Sequence, residues 1–237
     1  MESTIVIKLG GSLLSKSETD VFDYGYLSSL KDVLTEPSLQ ETKFFIAVGG
    51  GYTMRKYRDL AREAGVVDDM SIHWVGTTVN VLHAYLVNAY FAQLADEDVI
   101  KYEDYYEGDK EKFKIDHKIK VGGGGRPGHS GDVDAILASD MLDSKIVVSL
   151  KNVDGVYDAD PKLNPQAKRL SKISWKEYLD IIGNKDKHEP GGNYPIDPIA
   201  SRMAMERNLK FVILGGDDLE NFGKYLKGQE YVGTEVT

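Results

Sequence analysis

Short apolar runs rich in β-branched residues recur along the chain, and glycine closes several of them. Residues 5–9 stop at Gly10-Gly11-Ser12, and residues 44–48 stop at Gly49-Gly50-Gly51. Residues 146–150 form a third run, and residues 211–214 form a fourth that stops at Gly215-Gly216. Runs this short, with little polar alternation and glycine at their ends, predict strands buried on both faces, as in a parallel sheet.

Between the runs the period lengthens. Residues 52–64 are rich in Arg, Lys, Glu and Ala, and residues 75–94 are apolar at most positions, which predicts a long, largely buried helix. Residues 132–142 place Val133, Ile136, Leu137 and Met141 on one helical face. Strand alternating with helix predicts an α/β fold: a mainly parallel central sheet between helical layers, an αβα sandwich. Ligands of such sheets bind at the carboxyl ends of the strands, where three of the glycine clusters fall. Residues 100–120 interrupt the pattern with polar sequence carrying Tyr102, Tyr105 and Tyr106, either a flap or hairpin over a site or an exposed excursion. Residues 183–198, with Pro190, Gly191-Gly192, Pro195 and Pro198, read as a second loop. No repeat or linker composition divides the chain, so one domain is expected.

Composition narrows the function. At 237 residues and 41% hydrophobic content the chain can bury one sizeable core. It has no cysteine, which excludes disulfides, thiolate nucleophiles and cysteine-ligated zinc. Acidic residues outnumber basic ones by 38 to 29, a net charge of −9, which disfavours nucleic-acid partners. No apolar run approaches the roughly 18 residues of a membrane span, and the opening residues lack the basic-then-apolar pattern of an export signal. A cytoplasmic protein without a membrane partner is expected.

Four clusters are candidates for chemistry. Lys8 precedes Gly10, Gly11 and Ser12 at the end of the opening strand, either a tight turn or a phosphate cradle in which glycine lets amides approach closely. Gly49-Gly50-Gly51 is followed by Arg55, one helical turn on, as a solvated arginine or a phosphate contact. The run from Gly122 through Gly123, Gly124 and Arg126 to Ser130, Gly131 and Asp132 precedes a helix; Asp132 is either its N-cap or an organiser of Lys8 and a Mg-nucleotide. His129 lies in this run with no second histidine at metal-ligand spacing, so no protein-held metal site is expected. The stretch from Asn152 to Lys162 contains Asp154, Tyr157 and Asp160, an Asx-rich turn or a surface for a base and ribose. Gly-x-x-x-x-Gly-Lys-Ser/Thr and Gly-x-Ser-x-Gly are both absent, which argues against a P-loop enzyme and an α/β-hydrolase.

These clusters, in this order from Lys8 to Val232-Gly233-Thr234, resemble the amino acid kinase superfamily, and within it most closely the archaeal-type uridylate (UMP) kinases. The stretch 152–162 and the glycine run before Asp132 carry the likeness, with Ile196-Asp197-Pro198 and Thr77-x-x-Asn80. The resemblance implies phosphoryl transfer from ATP with Mg²⁺ to a small anionic acceptor, UMP foremost. Its alternatives are another phosphorylated or carboxylated acceptor, or nucleotide binding or oxyanion (molybdenum or tungsten) storage without turnover. It implies Lys8 and Asp132 as catalytic residues. ATP would be held by Lys8, Gly10, Gly11, Ser12, Gly50, Gly51 and Arg55 at its phosphates. Lys151, Asn152, Asp154, Tyr157, Asp160 and Lys162 would lie around its adenosine. The acceptor would meet Gly49, Gly50, Arg55, Asp69, Gly123, Gly124, Arg126, Ser130 and Gly131. An acceptor lobe at about residues 1–140, a nucleotide lobe at about 141–237 and a homo-oligomer, hexamer or dimer, are also implied. Several positions depart from the family pattern: Gly131 replaces a threonine, Arg126 replaces a small polar residue, and His73 and Trp74 stand where the family often has glycine and small apolar residues.

Overall fold

The computed structural model describes residues 3–161, 163–183 and 194–237; Lys162 and the expected turn at Pro190-Gly191-Gly192 lie outside the described residues. The chain begins with β1 (Ser3–Leu9), a one-turn helix α1 (Gly11–Leu14), α2 (Tyr24–Leu34), β2 (Thr42–Val48), α3 (Gly51–Glu63) and α4 (Asp69–Tyr90). Next come β3 (Ala95–Ile100), the one-turn α5 (Lys110–Phe113), β4 (Ile119–Gly122), α6 (Gly131–Met141) and β5 (Ile146–Lys151). A short ribbon of β6 (Val156–Tyr157) and β7 (Arg169–Leu170) leads to β8 (Lys172–Ile173) and α7 (Trp175–Ile181). The chain closes with α8 (Pro198–Glu206), β9 (Lys210–Gly215), α9 (Leu219–Leu226) and β10 (Thr234–Val236).

One sheet of eight strands runs β3-β4-β2-β1-β5-β9-β10-β8. Every pairing from β3 across to β9 is parallel, and β10 turns antiparallel against β9. Alternate residues of each strand enter opposite cores. Ile7, Leu9, Ile46, Val48, Val148 and Leu150 pack with α2, α4 and α9, while Val6, Phe45, Ala47 and Val147 pack with α6, α7 and α8. Covered on both faces, these strands need no polar alternation, which is why they read as continuous apolar runs. The predicted sandwich is observed.

The edge of the sheet was not legible. In β3 and β4, Asp96 and Lys120 are both buried and face each other at 3.6 Å, and His117 Nδ1 lies 2.9 Å from Asp96. Pairing hides charges that the pattern would place in solvent. Residues 100–120 are a crossover between parallel neighbours, not a hairpin, and bury Tyr105, Phe113 and Ile115. The long helix begins at Asp69 and ends at Tyr90, and only one face is buried: Met70, Trp74, Leu82 and Tyr85 stay exposed.

From β1 the chain adds β2 and β4 on one side, then β5 and β9 on the other. The sheet order therefore reverses between β1 and β5, opening a crevice at their carboxyl ends. There the loops after β1 and β2 meet backbone to backbone. A Cβ on Gly11 would collide with the amide nitrogen of Gly51 and fall 2.6 Å from that of Gly50. Ser15 locks the contact, its carbonyl accepting from Tyr52 N–H at 2.8 Å and its Oγ from Thr53 N–H at 2.9 Å. A Cβ on Gly131 would meet nothing nearer than Lys8 Cε at 3.6 Å. Gly11→Ala is expected to cost about 2–3 kcal/mol of stability and Gly131→Ala less than about 0.5 kcal/mol. Urea denaturation of both variants checks this; equal midpoints would contradict the close approach.

Candidate active site

Lys8, next to the last residue of β1, and Lys151, the last of β5, flank the crevice where the sheet order reverses. Between them stands Asp132, in the opening turn of α6. Its Oδ1 is 3.8 Å from Lys8 Nζ, and its Oδ2 is 3.0 Å from Lys151 Nζ. Oδ2 also accepts the Asp197 N–H at 3.1 Å, from the turn that starts α8. Ser130, not Asp132, occupies the N-cap of α6. Asp132 therefore lies just inside the helix, where the dipole favours a carboxylate.

Burial opposes ionisation of Asp132, but Lys151 and Lys8 overcome it and hold its pKa below the usual carboxylate value. Burial and the neighbouring Lys151 pull Lys8 down to about 8, against the attraction of Asp132. The Asp132 Oδ1 has no hydrogen-bond partner among the described residues. Two shielded ammonium groups facing one carboxylate leave a positive surplus in a crevice of low dielectric, a setting that attracts an anion.

The glycine loops shape this crevice. The Gly10 N–H is taken by the Leu150 carbonyl at 2.9 Å, and the Gly49 N–H by the Leu9 carbonyl at 3.1 Å. Those two amides thus brace β1 against its neighbours, and these glycines contribute closeness rather than donors to a phosphate. His83, buried in α4, donates Nδ1–H to the Gly49 carbonyl at 3.1 Å, and burial lowers its pKa. Gly11, Gly50 and Gly51 form the crevice floor, with Ser12 beside them; Arg55 is exposed one turn into α3, and Asp69 is exposed at the start of α4.

On the side of β2 and β4, Gly123 and Gly124 press against the Val48 and Thr77 carbonyls, at 2.9 and 2.5 Å from their ideal Cβ positions; Gly124 has φ +67°. Arg126, expected at the acceptor, lies 3.9 Å over the Tyr106 ring and pairs with Glu103 at 2.8 Å. Tyr106 in turn contacts His129 Nδ1 at 2.8 Å. Ser130 Oγ is buried without a partner among the described residues, and Gly131 faces Lys8. Sequence reading missed Arg58, whose side chain crosses Gly76 between α3 and α4 and whose buried Nε has no partner among the described residues. A glycine inside a helix, Gly76, was the available signal.

On the side of β5 and β9, Lys151 was expected near adenosine, but its ammonium is instead turned onto Asp132. Asp154 accepts from the Tyr157 hydroxyl at 3.0 Å and pairs with Arg169 at 3.1 Å. Nothing in the local sequence around Arg169 signalled that contact. Asn152 and Asp160 are exposed on the rim, and Gly215 borders Asp154. Asp197 was quoted only as part of a motif, not as a partner of Asp132. Among the described residues no group of three or more His, Asp or Glu side chains is gathered at metal-binding distance. Among the described residues no helix is long and apolar enough to cross a membrane.

A family model described as the amino acid kinase family matches residues 3–104 and 115–215. The chain belongs to the amino acid kinase family. It is similar to the uridylate kinase of Pyrococcus abyssi, at 33% identity over 98% of each chain. It is also similar to the uridylate kinase of Thermococcus sibiricus, at 31% identity with the same coverage. The crystal structure of uridylate kinase from Archaeoglobus fulgidus superposes with a TM-score of 0.78 at 28% identity, covering 98% of this chain and 99% of that one. A UMP kinase structure from Ureaplasma parvum gives the same TM-score at 20% identity, a likeness of fold. The amino acid kinase match pauses between residues 104 and 115, inside the crossover that carries Tyr105 and Tyr106.

The catalytic role that the sequence resemblance implies for Lys8 is that of a positive charge, and a lysine is charged only below its pKa. With Lys8 near 8, kcat/KM for ATP, which reports the free enzyme, should fall as pH rises through about 8. Lys8→Ala should lower kcat by about 10²-fold or more and abolish that alkaline limb. Steady-state rates between pH 6 and 10 check both; a limb that survives in Lys8→Ala would assign it to another group.

Proposed function

We propose that this protein transfers the γ-phosphoryl group of ATP to UMP, giving ADP and UDP. The observation that carries the reading is the Lys8–Asp132–Lys151 centre at the crevice between β1 and β5. The likeness of nearly the whole chain to archaeal uridylate kinases supports UMP as the acceptor.

The acceptor oxygen of a nucleoside monophosphate is already ionised near neutral pH, so the chain needs no base to activate it. What the reaction needs is alignment of two polyanions and compensation of charge as it spreads over the moving phosphoryl. Lys8 and Lys151 supply that charge from opposite sides, and Asp132 fixes both. Magnesium arriving with ATP is held mostly by phosphates and needs one or two carboxylates. The orphaned Oδ1 of Asp132 fits that need, and the ion would neutralise phosphate charge there.

We assign ATP to the half of the sheet from β5 to β8, where Tyr157, Asp154 and Arg169 offer a ring and polar groups for a nucleoside. The acceptor falls to the half from β1 to β4, with Arg55, Arg58 and the loop 126–131 around it. The exposed apolar face of α4 supports a homo-oligomer.

A second reading, the same transfer to another small anion, is favoured by one feature. Arg126 is held by Glu103 and Tyr106, and Gly131 leaves open space where the family pattern has threonine. An ADP-release screen over nucleoside monophosphates and small carboxylates decides between them, with UMP expected to be the best substrate. Arg126→Ala should raise the KM for UMP several-fold and leave that for ATP unchanged. No release with UMP beside rapid release with a different anion would establish the second reading.

A further inference from the structure

Asp134 lies two residues beyond Asp132 on α6, and only 4% of it is exposed. Its Oδ2 accepts the Gly125 N–H at 3.2 Å, while its Oδ1 is buried without a hydrogen-bond partner among the described residues. Asp134 makes no hydrogen bond or close ion pair within the Lys8–Asp132–Lys151 centre, and an apolar side chain would occupy the same space without the penalty of burying a carboxyl. A group retained against that cost points to a task.

Its surroundings suggest which. Gly125 closes the glycine run 122–125, and every residue of that run is pressed against a neighbour. A Cβ on Gly122 would fall 2.5 Å from Tyr105 Oη and 2.7 Å from Phe45 Cζ; a Cβ on Gly125 would collide with Asp134 Oδ1. Gly123 and Gly124 lie on the end of β2 and on α4, as described above. The run leaves this channel at Gly125 and becomes the loop 126–131, which ends beside Lys8. Asp134 thus grips the backbone at the last point before that loop.

We propose that Asp134 is a positioning residue for the acceptor: its carboxylate clamps Gly125 and so sets the path of the loop 126–131. The proposal rests on the reading that this loop meets the phosphorylated acceptor. The titratable and charged groups that face Asp134 are Asp132 on α6, Lys8 on β1, and Tyr105 and Tyr106 on the crossover. The hydrogen bond from the Gly125 N–H to Oδ2 and the packing of Oδ1 against the Gly125 Cα leave that residue no room to shift without moving Asp134.

The test compares wild type, Asp134→Val and Asp134→Asn in steady-state kinetics with ATP and UMP, alongside the ¹⁵N shift of the Gly125 amide at one pH. Asp134→Val should raise the KM for UMP about tenfold and leave the KM for ATP within about twofold. Asp134→Asn, which can still accept from Gly125, should recover most of that loss. The Gly125 amide resonance should move away from its wild-type position in Asp134→Val and stay close to it in Asp134→Asn. An equal rise in both KM values, or a lowered melting temperature with kinetics unchanged, would overturn the positioning role. A Gly125 amide unmoved in Asp134→Val would overturn the clamp itself, whatever the substrate. A Gly125 amide displaced in Asp134→Val, in a protein that does not phosphorylate UMP, would reject the acceptor reading and, with it, the role proposed for Asp134, leaving only a structural contact.

Discussion

The structure turns on one buried carboxylate. Asp132 joins β1 through Lys8, β5 through Lys151 and the start of α8 through the Asp197 N–H. These elements come from distant parts of the chain and meet where the sheet order reverses. Two ammonium groups in so shielded a place would repel each other without an anion between them. Asp132 makes their shared presence tolerable and fixes their spacing. It leaves one positive charge uncompensated, which is what a site for phosphoryl transfer requires.

The glycines follow from that centre. Polyphosphates can reach two lysines at strand ends only where the surrounding loops carry almost no side-chain volume. Gly11, Gly50 and Gly51 meet backbone to backbone, and Gly123 to Gly125 thread between β2, α4 and α6. His83 and Asp134 then hold two of these runs by single hydrogen bonds, one to the Gly49 carbonyl and one from the Gly125 amide. Floor and wall of the site are backbone, and the side chains that shape them sit outside the crevice.

The centre of the sheet was legible because its strands are covered on both faces, so each read as an apolar run closed by glycine. The approach of Asp132 to Lys8 was legible through their motifs. The sheet edge was not, because the Asp96–Lys120 pair hides charge inside β3 and β4, and a pattern of polarity does not reveal pairing between strands. The turn of Lys151 toward Asp132 was equally hidden, since it depends on β1 and β5 being neighbours. The partners of Arg126 were hidden in the same way: Glu103 and Tyr106 are brought to it by the crossover. Arg58 and Arg169 acquire their surroundings only from tertiary packing, and no motif marks them.

The pH profile of Asp132→Asn probes the central carboxylate most directly. Asp132 raises the pKa of Lys8, while burial and Lys151 lower it to about 8. Removing the charge of Asp132 should therefore move the alkaline limb of kcat/KM to a pH below about 8 and lower kcat at pH 7 by about 10²-fold or more. A limb left in place, together with wild-type kcat in a folded variant, would mean that Asp132 does not govern the lysines and that the site works in another way.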